Sequence, residues 1–309
     1  MRCPDATCPV AGRFGAFASE ICFAAADTAL ELIVQEDDFL RGASQAMRRA
    51  LTQSDGPVGN EAFAAHMAST VTGWTADAAA PWAEALRQVE QAFHAWKVPL
   101  PPAVWLIRTD GRDMFSTPYT RGQAVYLPQG IEDDKAMLLA HELLHVASRH
   151  CPPWAERLYG VLGFRPVDDL QWPAELADQL VTNPDTPRLR HATSLVLDGE
   201  DRVDVMPVLV LQQPPDRPQA LLHATKTTLV QVEIEDGRPT VPVRASGSLV
   251  LYDPFAMPRY LEQLGGNTHY IIHPEEVLAD NFAYAAVGRH VSNPGLIERL
   301  AHASAREAD

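Results

Sequence analysis

Hydrophobic residues recur at two different periods along this chain, and the changes between them divide it. From Arg13 to Lys97 the apolar positions return every three or four residues, which predicts helices, with alanine-rich stretches at 14–33, 38–51 and 60–71. Asp55-Gly56-Pro57 and Gly59 break the second stretch from the third. In 80–96, Trp82, Leu86, Val89, Phe93 and Trp96 make a stripe that would face a core. Two short apolar runs, 104–107 and 124–127, read as strands. If the second lies at a sheet edge, its free backbone groups could hold an extended peptide by strand addition.

Helical spacing resumes with Leu139, Leu143, Val146 and Ala147, in a segment bounded by Asp133 and Asp134 on one side and Cys151-Pro152-Pro153 on the other. Short helices are expected at 154–164 and 173–181, and a turn at Asn183-Pro184-Asp185-Thr186-Pro187. Valine, leucine and threonine then dominate five runs, 194–197, 205–211, 227–234, 240–243 and 248–252, punctuated by Asp198-Gly199, Pro214-Pro215 and Asp236-Gly237. After Pro254 the helical period returns, in 258–264 and again from His273, where Pro274 suits the first helical position and Glu275 and Glu276 the first turn. Residues 298–309 are expected to fray. The pattern predicts an α+β protein in four regions: a helical 1–98, a small sheet and central helix in 99–190, a β-rich insert at 191–253, and a helical 254–309.

Composition narrows the function classes. With 46% hydrophobic and 21% charged residues the chain is an ordinary globular protein, long enough at 309 residues for a sizeable core. A net charge of −15 without a Lys/Arg stripe argues against nucleic acid and anionic membranes as partners. No apolar run approaches the roughly eighteen residues of a spanning helix. Asp5, Arg13 and Glu20 interrupt any export segment, so a cytoplasmic setting is expected, with Cys3, Cys8, Cys22 and Cys151 as free thiols.

The central helix carries the chemistry: Ala140-His141-Glu142-Leu143-Leu144-His145-Val146 holds an HExxH motif. Residues four apart on a helix share a face, so His141 and His145 present two imidazoles to one point, as zinc requires. Glu142 can act as a base on a water there without binding the metal. The competing reading is a core helix whose histidines have found hydrogen-bond partners. For a third ligand, His150 and Cys151 do not make the HExxHxxGxxH pattern, because Ser148 stands for its glycine and Cys151 for its histidine, and His150 lies on the wrong side of the helix. Glu276 and Asp280, four apart on a later helix, could supply a ligand and a carboxylate that steadies a ligand histidine.

His141-Glu142-xx-His145 followed about 130 residues later by Glu276-xxx-Asp280 resembles the gluzincin group of zinc metallopeptidases, thermolysin-like members above all. The resemblance covers two short islands. It implies a zincin-like core, one zinc per chain held by His141, His145 and Glu276, Glu142 as general base, Asp280 hydrogen-bonded to His141, and a peptide or protein substrate. Glu275 departs from the family's usual Asn. The family stabilises the oxyanion with a Tyr and a His from the C-terminal side of the cleft. Tyr270 and His269 are nearest in sequence, with His223, Tyr260 and His290 as further options. The alternatives are a zinc-binding regulatory or peptide-binding protein without turnover, and a zinc hydrolase acting on a non-peptide amide or ester.

Overall fold

A computed structural model describes residues 10–14, 19–177, 179–197, 202–212, 224–244 and 246–306. Cys3, Cys8, Asp198-Gly199, Pro214-Pro215 and His223 lie outside the described residues. The chain folds around two sheets. The first holds β1 (Val10–Phe14), β2 (Ser19–Phe23), β3 (Val71–Thr72), β4 (Ala103–Thr109), β5 (Tyr119–Arg121) and β6 (Ala124–Pro128). Its order is β1-β2-β4-β6-β5, with β3 also on β4. The second holds β7 (Phe164–Pro166), β8 (His191–Val196), β9 (Arg202–Leu211), β10 (Thr225–Glu235), β11 (Arg238–Thr240) and β12 (Leu251–Tyr252), in the order β11-β10-β9-β8-β7, with β12 on β10 and antiparallel pairing throughout.

Alternation on the first sheet explains its place. Val104, Leu106, Val125 and Leu127 face one core, while Ile107, Ala124 and Tyr126 face another. Both faces are covered, so the strands read as continuous apolar runs. The second core lies under α1 (Ala26–Val34), α2 (Asp38–Gly42), α3 (Gln45–Thr52) and α4 (Asn60–Ser69), through Ile33, Phe39, Met47, Phe63 and Met67. The first and larger core is made with α5 (Ala76–Ala95) and α6 (Lys135–His150). The stripe expected on α5 is there: Trp82, Leu86, Val89 and Phe93 are all buried.

The remaining helices are α7 (Pro152–Val161), α8 (Ala174–Ala177), α9 (Pro258–Leu264), α10 (Pro274–Ala286) and α11 (Pro294–Ala305). α10 packs on α6 and is held against α5 by Phe282, whose ring meets those of Phe93 and Trp96 edge-on at 4.8 and 5.0 Å.

The structure corrects several expectations. Stretch 14–33 is not one helix: Ser19–Phe23 is a strand parallel to β4, and only Ala26–Val34 is helical. Ile21, Cys22 and Phe23 are all buried, and a short, fully buried apolar run has no period that separates strand from helix. Strand β6 is interior, between β4 and β5, so its backbone is not open to an added strand. The edge belongs to β5, where the Thr120 N–H is already taken by Asp185 Oδ1 at 2.7 Å. The expected helix at 173–181 is a single turn. The C-terminal segment is anchored rather than frayed as far as Ala305: Leu296 and Leu300 are fully buried, and Ser304 donates to the Trp96 carbonyl and accepts from Trp154 Nε1. Cys151 is a free thiol, but Cys22 is disulfide-bonded. Among the described residues no helix is long and apolar enough to cross a membrane.

Candidate metal centre

Helix α6 begins where Asp134 accepts from the amides of Ala136 and Met137 at 3.0 and 3.1 Å, satisfying two donors that would otherwise lack partners. It ends before Pro152 and Pro153, which start α7. Leu139, Leu143, Leu144, Val146 and Ala147 are buried, and so are Glu142 and His145, so the helix is surrounded. Buried polar groups on such a helix must find partners.

Those partners come from α10. His273 caps its N-terminus, with Nδ1 accepting from the Glu275 amide at 3.1 Å, and Pro274 occupies the first position. Glu275 and Glu276 are each 1% exposed, so they do more than answer the helix dipole. Asp280 Oδ1 lies 2.9 Å from His141 Nδ1, and Glu275 Oε1 lies 2.6 Å from His145 Nδ1. Each imidazole thus gives its Nδ1 proton to a carboxylate, which leaves the Nε2 lone pair facing inward. Both Nε2 atoms meet the same oxygen, Glu276 Oε2, at 3.2 Å from His141 and 3.4 Å from His145.

Three acceptors that converge in this way repel one another unless a positive charge lies among them. Among the described residues, neither His145 Nε2, though close to Glu276, nor the buried Glu142 Oε2 makes a hydrogen bond. Neighbouring ligands of a tetrahedral zinc at about 2.05 Å stand about 3.3 Å apart, which is the spacing of each imidazole Nε2 from Glu276 Oε2 here. The donor set, two imidazoles and a carboxylate, fits a catalytic zinc.

Protons are the other positive charge the cluster attracts. Burial opposes a charge on His141, but the hydrogen bonds to Asp280 and Glu276 outweigh it and raise its pKa to about 10. His145 moves the same way, against burial, through Glu276, Asp185 and Glu275. Glu276 is held well below the usual carboxylate range by the two histidines, despite its burial. Burial and then the charge of Asp185 push Glu142 up to about 8.

The five residues expected at the centre, His141, Glu142, His145, Glu276 and Asp280, are brought together. Tyr270 stands beside them, its ring 6.3 Å from that of His141 at 23°. Although 42% exposed, it is kept protonated by burial on its inner side and by the charges of Glu276, Asp185, Glu142 and Asp280. His269 and His290 are exposed, and no described contact joins either to the cluster. Tyr260 is fully buried and donates to the Ile271 carbonyl at 3.3 Å, away from the cluster.

Other residues enter unforeseen. Glu275, beyond its bond to His145, accepts from Ser148 Oγ at 2.5 Å and from the Tyr159 hydroxyl. Asn183 Nδ2 donates to Glu276 Oε1 at 2.5 Å. Asp185 offers a carboxylate oxygen within 4.8 Å of ligand atoms of Glu142 and His145. Both sit on a strap, residues 183–187, pinned by Thr120 Oγ1, which donates to Asp185 at 2.7 Å, and by Arg149, which donates to the Asp185 carbonyl at 3.1 Å. Only the adjacency of Glu275 to Glu276 was visible beforehand; the strap read as a turn. No protein-family model, curated protein or solved structure matches the chain.

Proposed function

We propose that this chain is a zinc-dependent metallopeptidase with a zincin-like core, in which His141, His145 and Glu276 hold one zinc. The observation that carries the reading is the convergence of both Nε2 atoms on one Glu276 oxygen, with each Nδ1 backed by its own carboxylate. Bound there, zinc would polarise a substrate carbonyl and acidify a water. Glu142, on the same helix face and with an oxygen that no other group among the described residues engages, takes the proton from the attacking water and returns it to the departing amine. Tyr270 keeps its phenolic proton and can donate it to the oxygen on which negative charge develops. Asp280 and Glu275 hold the imidazoles in the tautomer and orientation that binding needs. An oxidising compartment suits the disulfide at Cys22 better than the cytoplasm expected from sequence.

The test is hydrolysis of a diverse peptide mixture, read by mass spectrometry, with zinc-loaded protein and its Glu142→Gln variant. New termini should appear with the native chain, and the variant, still holding zinc, should be slower by about 10²–10⁴-fold. Equal cleavage by both would remove Glu142 from the mechanism, and no cleavage by zinc-loaded native protein would overturn the peptidase reading.

A further inference from the structure

Five carboxylates gather at the proposed zinc, those of Glu142, Asp185, Glu275, Glu276 and Asp280. With both imidazoles neutral, a divalent ion balances two of the five, and a buried charge left uncompensated is costly. Glu275 and Asp280 spread their charge over protein donors: His145, Ser148 and Tyr159 on the first, His141, Thr268 and Tyr284 on the second. Glu276 Oε1 has Asn183.

Asp185 is the exception. Its Oδ1 takes the Thr120 amide and hydroxyl, each at 2.7 Å, but among the described residues no donor reaches Oδ2 and no cation pairs with the carboxylate. Arg149, whose charge also acts on Asp185, spends its N–H groups on the carbonyls of Asp185 and Gly122 and on the Thr120 hydroxyl. Asp185 is only partly buried and stands within 4.8 Å of Glu142, whose Oε2 is buried and unpartnered among the described residues. A positive group of the substrate is the partner this pair lacks.

Position decides which positive group. Glu142 acts on the water that attacks the scissile carbonyl, so a cation at Asp185 must lie close to that carbon. An α-ammonium nitrogen is about 2.5 Å from the carbonyl carbon of its own residue. The ammonium of lysine stands off at the end of a flexible four-carbon stem.

We infer that Asp185 binds the free α-ammonium group of the substrate, and that the chain removes residues one at a time from peptide N-termini. The inference rests on the peptidase reading above. The water oxygen bonds to the carbonyl carbon of the first residue, the bond from that carbon to the second residue's nitrogen breaks, and Glu142 carries the proton to that nitrogen. The products are one amino acid and a peptide shorter by one residue, and the ammonium at Asp185 is unchanged.

Two measurements on zinc-loaded protein test it. In an NMR titration at pH 7, where an α-amino group is largely charged, leucinamide should bind at least about tenfold more tightly than N-acetyl-leucinamide. Asp185→Asn keeps an oxygen for Thr120 and removes the charge; there the preference should fall below about threefold while zinc content is unchanged. With synthetic peptides read by mass spectrometry, free N-termini should be trimmed stepwise, and N-terminally acetylated copies should be cut at least about tenfold more slowly. Amine-dependent binding without cleavage would overturn the peptidase reading and leave the Asp185 assignment standing. Equal binding of the two leucine compounds, cutting at internal bonds regardless of acetylation, or an amine preference intact in Asp185→Asn would overturn the inference itself. So would loss of a second metal equivalent in that variant, which would make Asp185 the ligand of another ion.

Discussion

At the scale of single residues, the site depends on which nitrogen of each histidine is free. Asp280 and Glu275 settle this by taking the two Nδ1 protons. Glu275→Gln keeps the size of the side chain but weakens the acceptor facing His145. Zinc affinity in that variant should fall by about 10–100-fold with little loss of fold, as measured by competition with a chelator. An unchanged affinity would make Glu275 only a partner of Ser148 and Tyr159. The proposed ligands and base were legible because helical spacing puts His141 with His145, and Glu276 with Asp280, on shared faces. Glu275 was harder to assign, since an acidic residue at a helix start has an ordinary reason to be there. Asp185 and Asn183 reach the centre from a turn far along the chain, and spacing holds no trace of that approach.

At the scale of elements, the centre needs α6 and α10 to keep their relative position. Phe282 is the peg: fully buried, it meets Phe93 and Trp96 from α10 and so fixes the helix that delivers Glu276. Phe282→Ala should cost about 3–5 kcal/mol of stability in denaturant unfolding, and in whatever fraction remains folded zinc should be held less tightly. A loss below about 1 kcal/mol would show that the helix pair is fixed elsewhere. Elements with a long amphipathic period, α5 and α6, were readable from the pattern alone. Strand β2 was not, because Ile21, Cys22 and Phe23 are buried on both faces. Helix α11 was hidden for a different reason: it is buried only at Leu296, Leu300 and Ser304, and its fixed end depends on Ser304 reaching Trp96 and Trp154, a tertiary contact.

For the whole molecule, the proposed zinc centre would link stability, protons and metal through the same side chains. His141 is raised from 6.5 to about 10 in the fold, so without metal the folded state binds more protons than the unfolded chain across that range. Its contribution is complete below about 6.5 and is lost as pH climbs through about 10. Glu142, raised to about 8, acts in the same direction. The metal-free protein should accordingly melt at lower temperature at pH 9 than at pH 7. Zinc bound at the proposed centre would displace those protons, so its affinity should increase over the same interval, and the gap in melting temperature between zinc-loaded and metal-free protein should widen. A gap that narrows with rising pH would contradict the assignment of the histidines as ligands. Of the five expected runs, 205–211 and 227–234 lie within β9 and β10 and 194–197 overlaps β8, whereas 240–243 shares only Thr240 with β11 and 248–252 only Leu251 and Tyr252 with β12; β7 joins the sheet from the preceding region.

The central claim, that His141, His145 and Glu276 form a zinc centre, is tested most directly by elemental analysis of protein purified without added metal, beside its Glu276→Ala variant. The account predicts about one zinc per chain in the native protein and a clear loss in the variant. A native value near zero that added zinc does not restore, or a variant that keeps its full equivalent, would contradict it.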